Sequence, residues 1–228
     1  MRLTTLLLAV ATATGLACTP VAAAASSDNG NGILATDVAP APAWVRAMPP
    51  PAKVYGVQAA RVLNIQYQVQ QTGYWCGPAA TRIALSAKTG NLPSQQQLAN
   101  QLPTTTNGTD WIGQVTRVLN NRLGTTYYET KEMPNDPPTQ AQRDLLWRDV
   151  VYDIDRGWAI VANIVAPANN HPPGYPNYTV WHYFTVIGYD SSNSSVKIAD
   201  PANFGGYQQY WISFNQLATL IPPKGYSA

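Results

Sequence analysis

Cysteine, histidine and charge are all scarce in this chain of 228 residues. The two cysteines are Cys18 and Cys76, and Cys18 falls in a stretch that reads as a cleavable export signal. Met1-Arg2 supplies a small positive start, residues 3–16 are apolar, and Val21-Ala22-Ala23-Ala24-Ala25 offers small residues at cleavage spacing. Cleavage after the alanines leaves Cys76 as the single cysteine of the mature protein, which excludes an intrachain disulfide. An unpaired thiol in an exported protein is either a liability or a reactive group. Charged residues make up 11% of the chain and the net charge is +2, so no basic face invites nucleic acid. Two histidines and one mature cysteine do not supply a zinc ligand set, and no cofactor is called for. No run beyond the signal approaches membrane-spanning length, so the chain reads as secreted. Lipid anchoring at Cys18 is the competing reading; Ala17 suits it and Gly15 does not, and plain secretion is favoured.

What is present is enough apolar material for a real core, 45% of the residues. Three segments follow from composition: a signal peptide over 1–25, a Pro/Ala-rich flexible segment over 26–53, and a folded domain over 54–228. Pro40, Pro42 and Pro49-Pro50-Pro51 make the second segment an extended, solvated leader, a tether rather than an inhibitory pro-segment. The first half of the domain has helical spacing. Cys76-Gly77-Pro78 opens a helix with Ala79, Ala80, Ile83, Ala84 and Ala87 on it, closing near Gly90. Pro78 suits a first helical turn, where a missing N–H costs nothing. Ser94 caps a helix bearing Leu98 and Leu102, and Thr109 or Asp110 caps another that stops at Gly124. Leu146, Val150 and Ile154 mark one more, ending at Gly157. The second half changes period, with strands expected over 158–165, 181–189, 195–199 and 207–213. Helices first and antiparallel strands afterwards define an α+β fold with segregated lobes.

Two constellations bear chemistry. Cys76 stands at a helix start, where unpaired N–H groups and the helix dipole stabilise a thiolate. Gln70, six residues earlier, is spaced to bring its amide to the same point and join the Cys76 N–H as donor to an oxyanion; Gln71 is the adjacent alternative. Taken alone, Cys76 fits a buried structural cysteine equally well. His182 begins an apolar strand, and Asp200-Pro201 ends the next one. If those strands form a hairpin, Asp200 lies beside His182 and fixes its tautomer. His171, in a Pro-rich loop, reads as a cleft-edge or solvated residue. Trp111, Tyr127, Tyr128, Trp147, Tyr152 and Trp158 read mostly as core, whereas Trp75, Trp181, Tyr207 and Trp211 are candidates for a substrate groove. Asp190 reads as a turn residue.

The order Gln70, Cys76, His182, Asp200 resembles that of papain-like cysteine peptidases. More narrowly, Cys76-Gly77-Pro78-Ala79-Ala80, the stretch from His182 through Gly188-Tyr189-Asp190, and Ile198-Ala199-Asp200-Pro201 resemble the standalone relatives of the bacteriocin leader peptidases, the peptidase C-thirty-nine-like family. The resemblance spans about residues 54–220. It implies a papain-like two-lobe fold, with an N-terminal helical lobe carrying the cysteine helix and a C-terminal antiparallel sheet carrying His and Asp. It also implies Cys76 as nucleophile, His182 as base, Asp200 as orienter and a glutamine oxyanion donor. The implied partner is a peptide or protein substrate. A non-catalytic peptide- or wall-binding module on the same fold is the rival reading, and a complete triad argues against it. Nothing here resembles a transporter fused to the peptidase, so substrate does not carry over with fold.

Overall fold

The eleven-residue run Val180–Asp190, rich in aromatic and β-branched residues and buried at all but one position, is the strand around which the domain is built. The computed structural model describes residues 38–228; the segment expected to be a signal peptide, Cys18 and the first part of the expected leader lie outside the described residues. In chain order the elements are α1 (Ala43–Arg46), β1 (Ala60–Val62), α2 (Cys76–Ser86), α3 (Gln95–Gln101), α4 (Ile112–Leu123), β2 (Thr130–Glu132), α5 (Gln140–Asp155), β3 (Ile160–Ala166) and β4 (Val180–Asp190). They continue with β5 (Ser195–Ala199), a short 3₁₀ turn (Phe204–Gly206), β6 (Gln209–Ser213), α6 (Phe214–Leu220) and β7 (Gly225–Ser227).

The strands form one seven-stranded sheet in the order β2-β7-β3-β4-β5-β6, with every pair antiparallel and β1 added beside the far end of β4. β4 is long enough to pair with three neighbours: β3 along Val180–Val186, β5 from Thr185 onward, and β1 at Gly188–Asp190. The fold is α+β as expected, and helices and sheet share one continuous core in which Ile83, Leu119, Leu146, Phe184 and Phe214 are buried.

Local chemistry explains most of the helix ends. Ser94 accepts the Gln97 N–H while Gln97 Oε1 accepts the Ser94 N–H, and Thr139 and Gln142 do the same for α5. Gly124 closes α4 in the left-handed region at φ 61°. The start of α4 differs from expectation. Its cap is Trp111, whose N–H is held by Gln114 Oε1 at 3.1 Å, because Thr109 spends its hydroxyl on Thr104 at 2.7 Å and Asp110 is exposed. The helices-then-strands order also needs correction, since β1 and β2 come from the helical half. Each is three residues long, too short to show alternation, and each is defined by its partner strand.

The leader differs from expectation over residues 38–51, which dock on the domain. Val38 bridges to Trp211, the Ala39 N–H donates to the Trp211 carbonyl at 2.9 Å, and Val45 is fully buried. Asn215 Nδ2 donates to the Met48 carbonyl at 3.0 Å, and Arg143 reaches both the Pro49 carbonyl and Asn215. Prolines remove backbone donors but not acceptors. A Pro-rich segment is therefore held by donors supplied from elsewhere, here by α5 and α6.

Candidate active site

α2 begins at Cys76, with Trp75 as its cap, so the thiol stands where the first-turn N–H groups have no helical partner. β4 brings His182 to it, and the turn leaving β5 brings Asp200. His182 Nε2 donates to Asp200 Oδ1 at 2.8 Å, and both side chains are almost fully buried. Cys76 lies on the other side of the imidazole, near enough that the two side chains shift one another's proton affinity. With Nε2 taken by Asp200, Nδ1 is the ring nitrogen left for the sulfur. The three expected side chains thus meet, and in the expected order.

Asp200 is held on every side. Oδ1 also accepts the Ala202 N–H at 2.9 Å, while Oδ2 accepts the hydroxyls of Tyr175 and Tyr210, each at 2.7 Å. Its backbone carbonyl takes the Tyr67 hydroxyl at 2.7 Å. Burial alone pushes the Asp200 carboxyl up, but the charge and hydrogen bond of His182 and the two tyrosine hydroxyls bring it below its ordinary value. Burial alone pushes His182 down, yet the Asp200 charge and hydrogen bond, with Cys76 on the other side, raise it to about 10. For Cys76, burial raises the thiol, but His182 and the backbone N–H groups of Tyr183 and Gly77 outweigh it and the net direction is down. Both shifts run in the direction that favours a charged thiolate and a charged imidazolium beside the carboxylate.

Gln70 is partly buried, and its N–H donates to the carbonyl of Pro201, the residue after Asp200, at 2.9 Å. Its Nε2 donates to the Thr72 carbonyl at 2.9 Å, leaving one amide hydrogen free of that bond. Gln71 is exposed, with its backbone N–H fastened to Gln95 Oε1 at 2.9 Å. His171 stays out of the triad and hydrogen-bonds the Tyr178 carbonyl at 3.1 Å.

Among the aromatics, Trp147 and Tyr128 are buried and Trp158 stacks on Tyr127 at 4.2 Å. Trp111 and Tyr152 differ from the core reading, being exposed; Trp111 caps α4 from outside its apolar stripe and donates Nε1 to Glu132. Trp181 and Tyr207 are exposed, and Trp75 and Trp211 half-buried. Sequence reasoning missed Tyr175 and Tyr210. Tyr210 lies inside an expected strand and Tyr175 in a Pro-rich loop, and neither position carries a signal for what its hydroxyl meets. No group of three or more His, Cys, Asp or Glu among the described residues could hold a metal ion, and no helix among them is long and apolar enough to cross a membrane.

Residues 62–219 match the Peptidase_C39 like family. The chain belongs to that family, which places it in a class of cysteine peptidases. No curated protein matches it. Among solved structures it is similar to the peptidase domain of Streptococcus ComA, a bi-functional ABC transporter, with 18% identity over 72% of this chain and 98% of that one and a TM-score of 0.45. It is similar to a double glycine motif protease from an AMS/PCAT transporter in complex with the leader peptide, with 13% identity, 73% and 91% coverage and a TM-score of 0.44. Xylellain, a cysteine protease from Xylella fastidiosa, gives 14% identity, 84% and 91% coverage and a TM-score of 0.46.

Proposed function

We propose that the protein is an exported cysteine peptidase that cleaves an amide bond through a thioester on Cys76. The observation that carries this reading is the buried 2.8 Å bond between His182 Nε2 and Asp200, with Cys76 at the start of α2 electrostatically coupled to the same imidazole. A structural core needs none of these groups in register, and burying three of them is costly unless they are paired.

In this mechanism the Cys76 thiolate attacks the substrate carbonyl carbon and the electron pair moves to the carbonyl oxygen. That oxyanion is received by the Cys76 N–H and the free amide hydrogen of Gln70, which the bond to Pro201 supports as the donor over exposed Gln71. Collapse expels the amine, protonated by His182. Water, deprotonated by the now neutral imidazole, then attacks the thioester, and acid product leaves with Cys76 restored. Asp200 stays ionised throughout and keeps Nε2–H turned toward itself. The substrate is a peptide or protein met outside the cell, in line with the export signal read in residues 1–25.

The test is turnover of a fluorogenic peptide library by the mature chain, beside Cys76→Ala. Wild type turns over a subset of peptides, and mass spectrometry of acid-quenched reactions finds an acyl group on the Cys76 peptide. Cys76→Ala stays folded and inactive. Turnover retained in that variant refutes the mechanism.

A further inference from the structure

The Asp200 carboxylate is unusual in how completely its bonds are filled. A carboxylate offers about four lone-pair sites, and here each has a donor: His182 Nε2 and the Ala202 N–H on Oδ1, and the Tyr175 and Tyr210 hydroxyls on Oδ2. The donors come from β4, from the turn after β5, from the loop between β3 and β4, and from β6. Two hydroxyls converging on one oxygen do more than fill space. They occupy Oδ2 and leave Oδ1 as the oxygen that faces the imidazole.

The loop that carries Tyr175 is pressed into place. Gly174 lies in the left-handed region at φ 76°, and a Cβ there would stand 2.2 Å from the Phe204 carbonyl oxygen, so only glycine lets the loop meet the turn. Gln216 Nε2 holds the His171 carbonyl at 3.1 Å and Asn170 Nδ2 holds Thr219 at 3.0 Å, tying the loop to α6. Delivered this way, the Tyr175 ring lies edge-on to His182 at 6.1 Å, with Phe204 at 5.9 Å from the imidazole and 4.7 Å from Tyr175. Two aromatic rings therefore shield the bond between His182 and Asp200 from water.

From this geometry we propose that Tyr175 and Tyr210 are positioning residues of the active site, holding the Asp200 carboxylate ionised and fixed in rotation so that His182 presents Nδ1 to Cys76. The proposal rests on the triad reading above. It makes the loop at residues 167–179 a working part of the site through Tyr175, although that loop supplies no group to the reaction.

The test uses Tyr175→Phe, Tyr210→Phe and the double variant in the mature chain, with Asp200→Asn as reference. The readout is the pH dependence of Cys76 alkylation and of peptide turnover. A hydrogen bond to a charged group is worth about tenfold in an equilibrium constant. Losing each hydroxyl therefore makes Asp200 easier to protonate, and the acid limb of both profiles moves up by about one pH unit per hydroxyl. Near pH 8, where Asp200 is ionised in either case, KM stays close to wild type. A purely structural role predicts lower melting temperatures with an unmoved acid limb, and that result overturns the proposal. If Tyr210→Phe fails to fold, Tyr175→Phe on its loop carries the same prediction. Asp200→Asn separates the two levels: if it too leaves alkylation unchanged the triad reading fails, whereas an effect there with none from the tyrosines removes this proposal alone.

Discussion

Asp153 on α5 offers a quantitative check on the packing of the helix against the sheet. It is only 7% exposed, its Oδ1 accepts the Tyr127 hydroxyl at 2.7 Å, and its Oδ2 is buried without a partner. Burial pushes its carboxyl up to about 6, and Asp149, one turn earlier, adds to the push. A carboxyl raised on folding stabilises the native state below its unfolded value and loses that contribution as pH rises through the folded value. Taking about 3.9 for the unfolded chain and about 1.36 kcal/mol per tenfold change in proton affinity, the loss is about 3 kcal/mol between pH 3 and pH 8. Asparagine keeps the acceptor for Tyr127 and removes the charge. Urea unfolding of Asp153→Asn should therefore show a gain of about 2–3 kcal/mol over wild type at pH 8, shrinking to almost nothing near pH 4. A pH-independent difference, or a variant less stable at pH 8, refutes the reasoning.

Two further changes probe the surroundings of the site and the docked leader. At Gly77 an added Cβ would lie 2.3 Å from Thr109 Oγ1 and 2.8 Å from its Cβ, so Gly77→Ala must displace the first turn of α2. We expect a loss of about 1–3 kcal/mol in denaturant unfolding, slower Cys76 alkylation, and only partial recovery on adding Thr109→Ala, since the Cβ contact remains. An unchanged alkylation rate contradicts this. Arg143→Ala removes the donor to the Pro49 carbonyl, to Asn215 Oδ1 and to Gln140 Oε1, a loss of about 3 kcal/mol or more for three bonds from a buried cation. Limited trypsin digestion at Arg46 and Lys53 should accelerate several-fold, and an unchanged cleavage rate shows that the strap is held by other contacts.

The parts of the site legible in the sequence are those where the backbone itself announces the geometry. Cys76-Gly77-Pro78 marks a helix start because proline and an apolar 3.6-residue period can mean little else, and α2 begins at Cys76. The run 195–199 stands out between turn residues and is β5, and Asp200-Pro201 ends it with the carboxylate beside His182. What stayed hidden is contact made by partners distant in sequence. β1, β2 and β7 are three residues each and exist through the strands they pair with. α6 follows β6 without a break, so its period had no flank from which to be read. The leader's composition says polar and extended, and says nothing of Arg143 or Asn215. Tyr175 and Tyr210 are ordinary aromatic residues until the fold brings their hydroxyls to one oxygen.

The central claim is that Cys76 is held as a thiolate by His182, and the rate of Cys76 alkylation against pH tests it most directly. The mature chain, followed by mass spectrometry from about pH 4 to 9, should react fast and nearly independently of pH down to about 5, far below the free-thiol value of about 8.5, with His182→Ala losing that reactivity. A rate that rises only above about pH 8, and is the same in His182→Ala, contradicts the account.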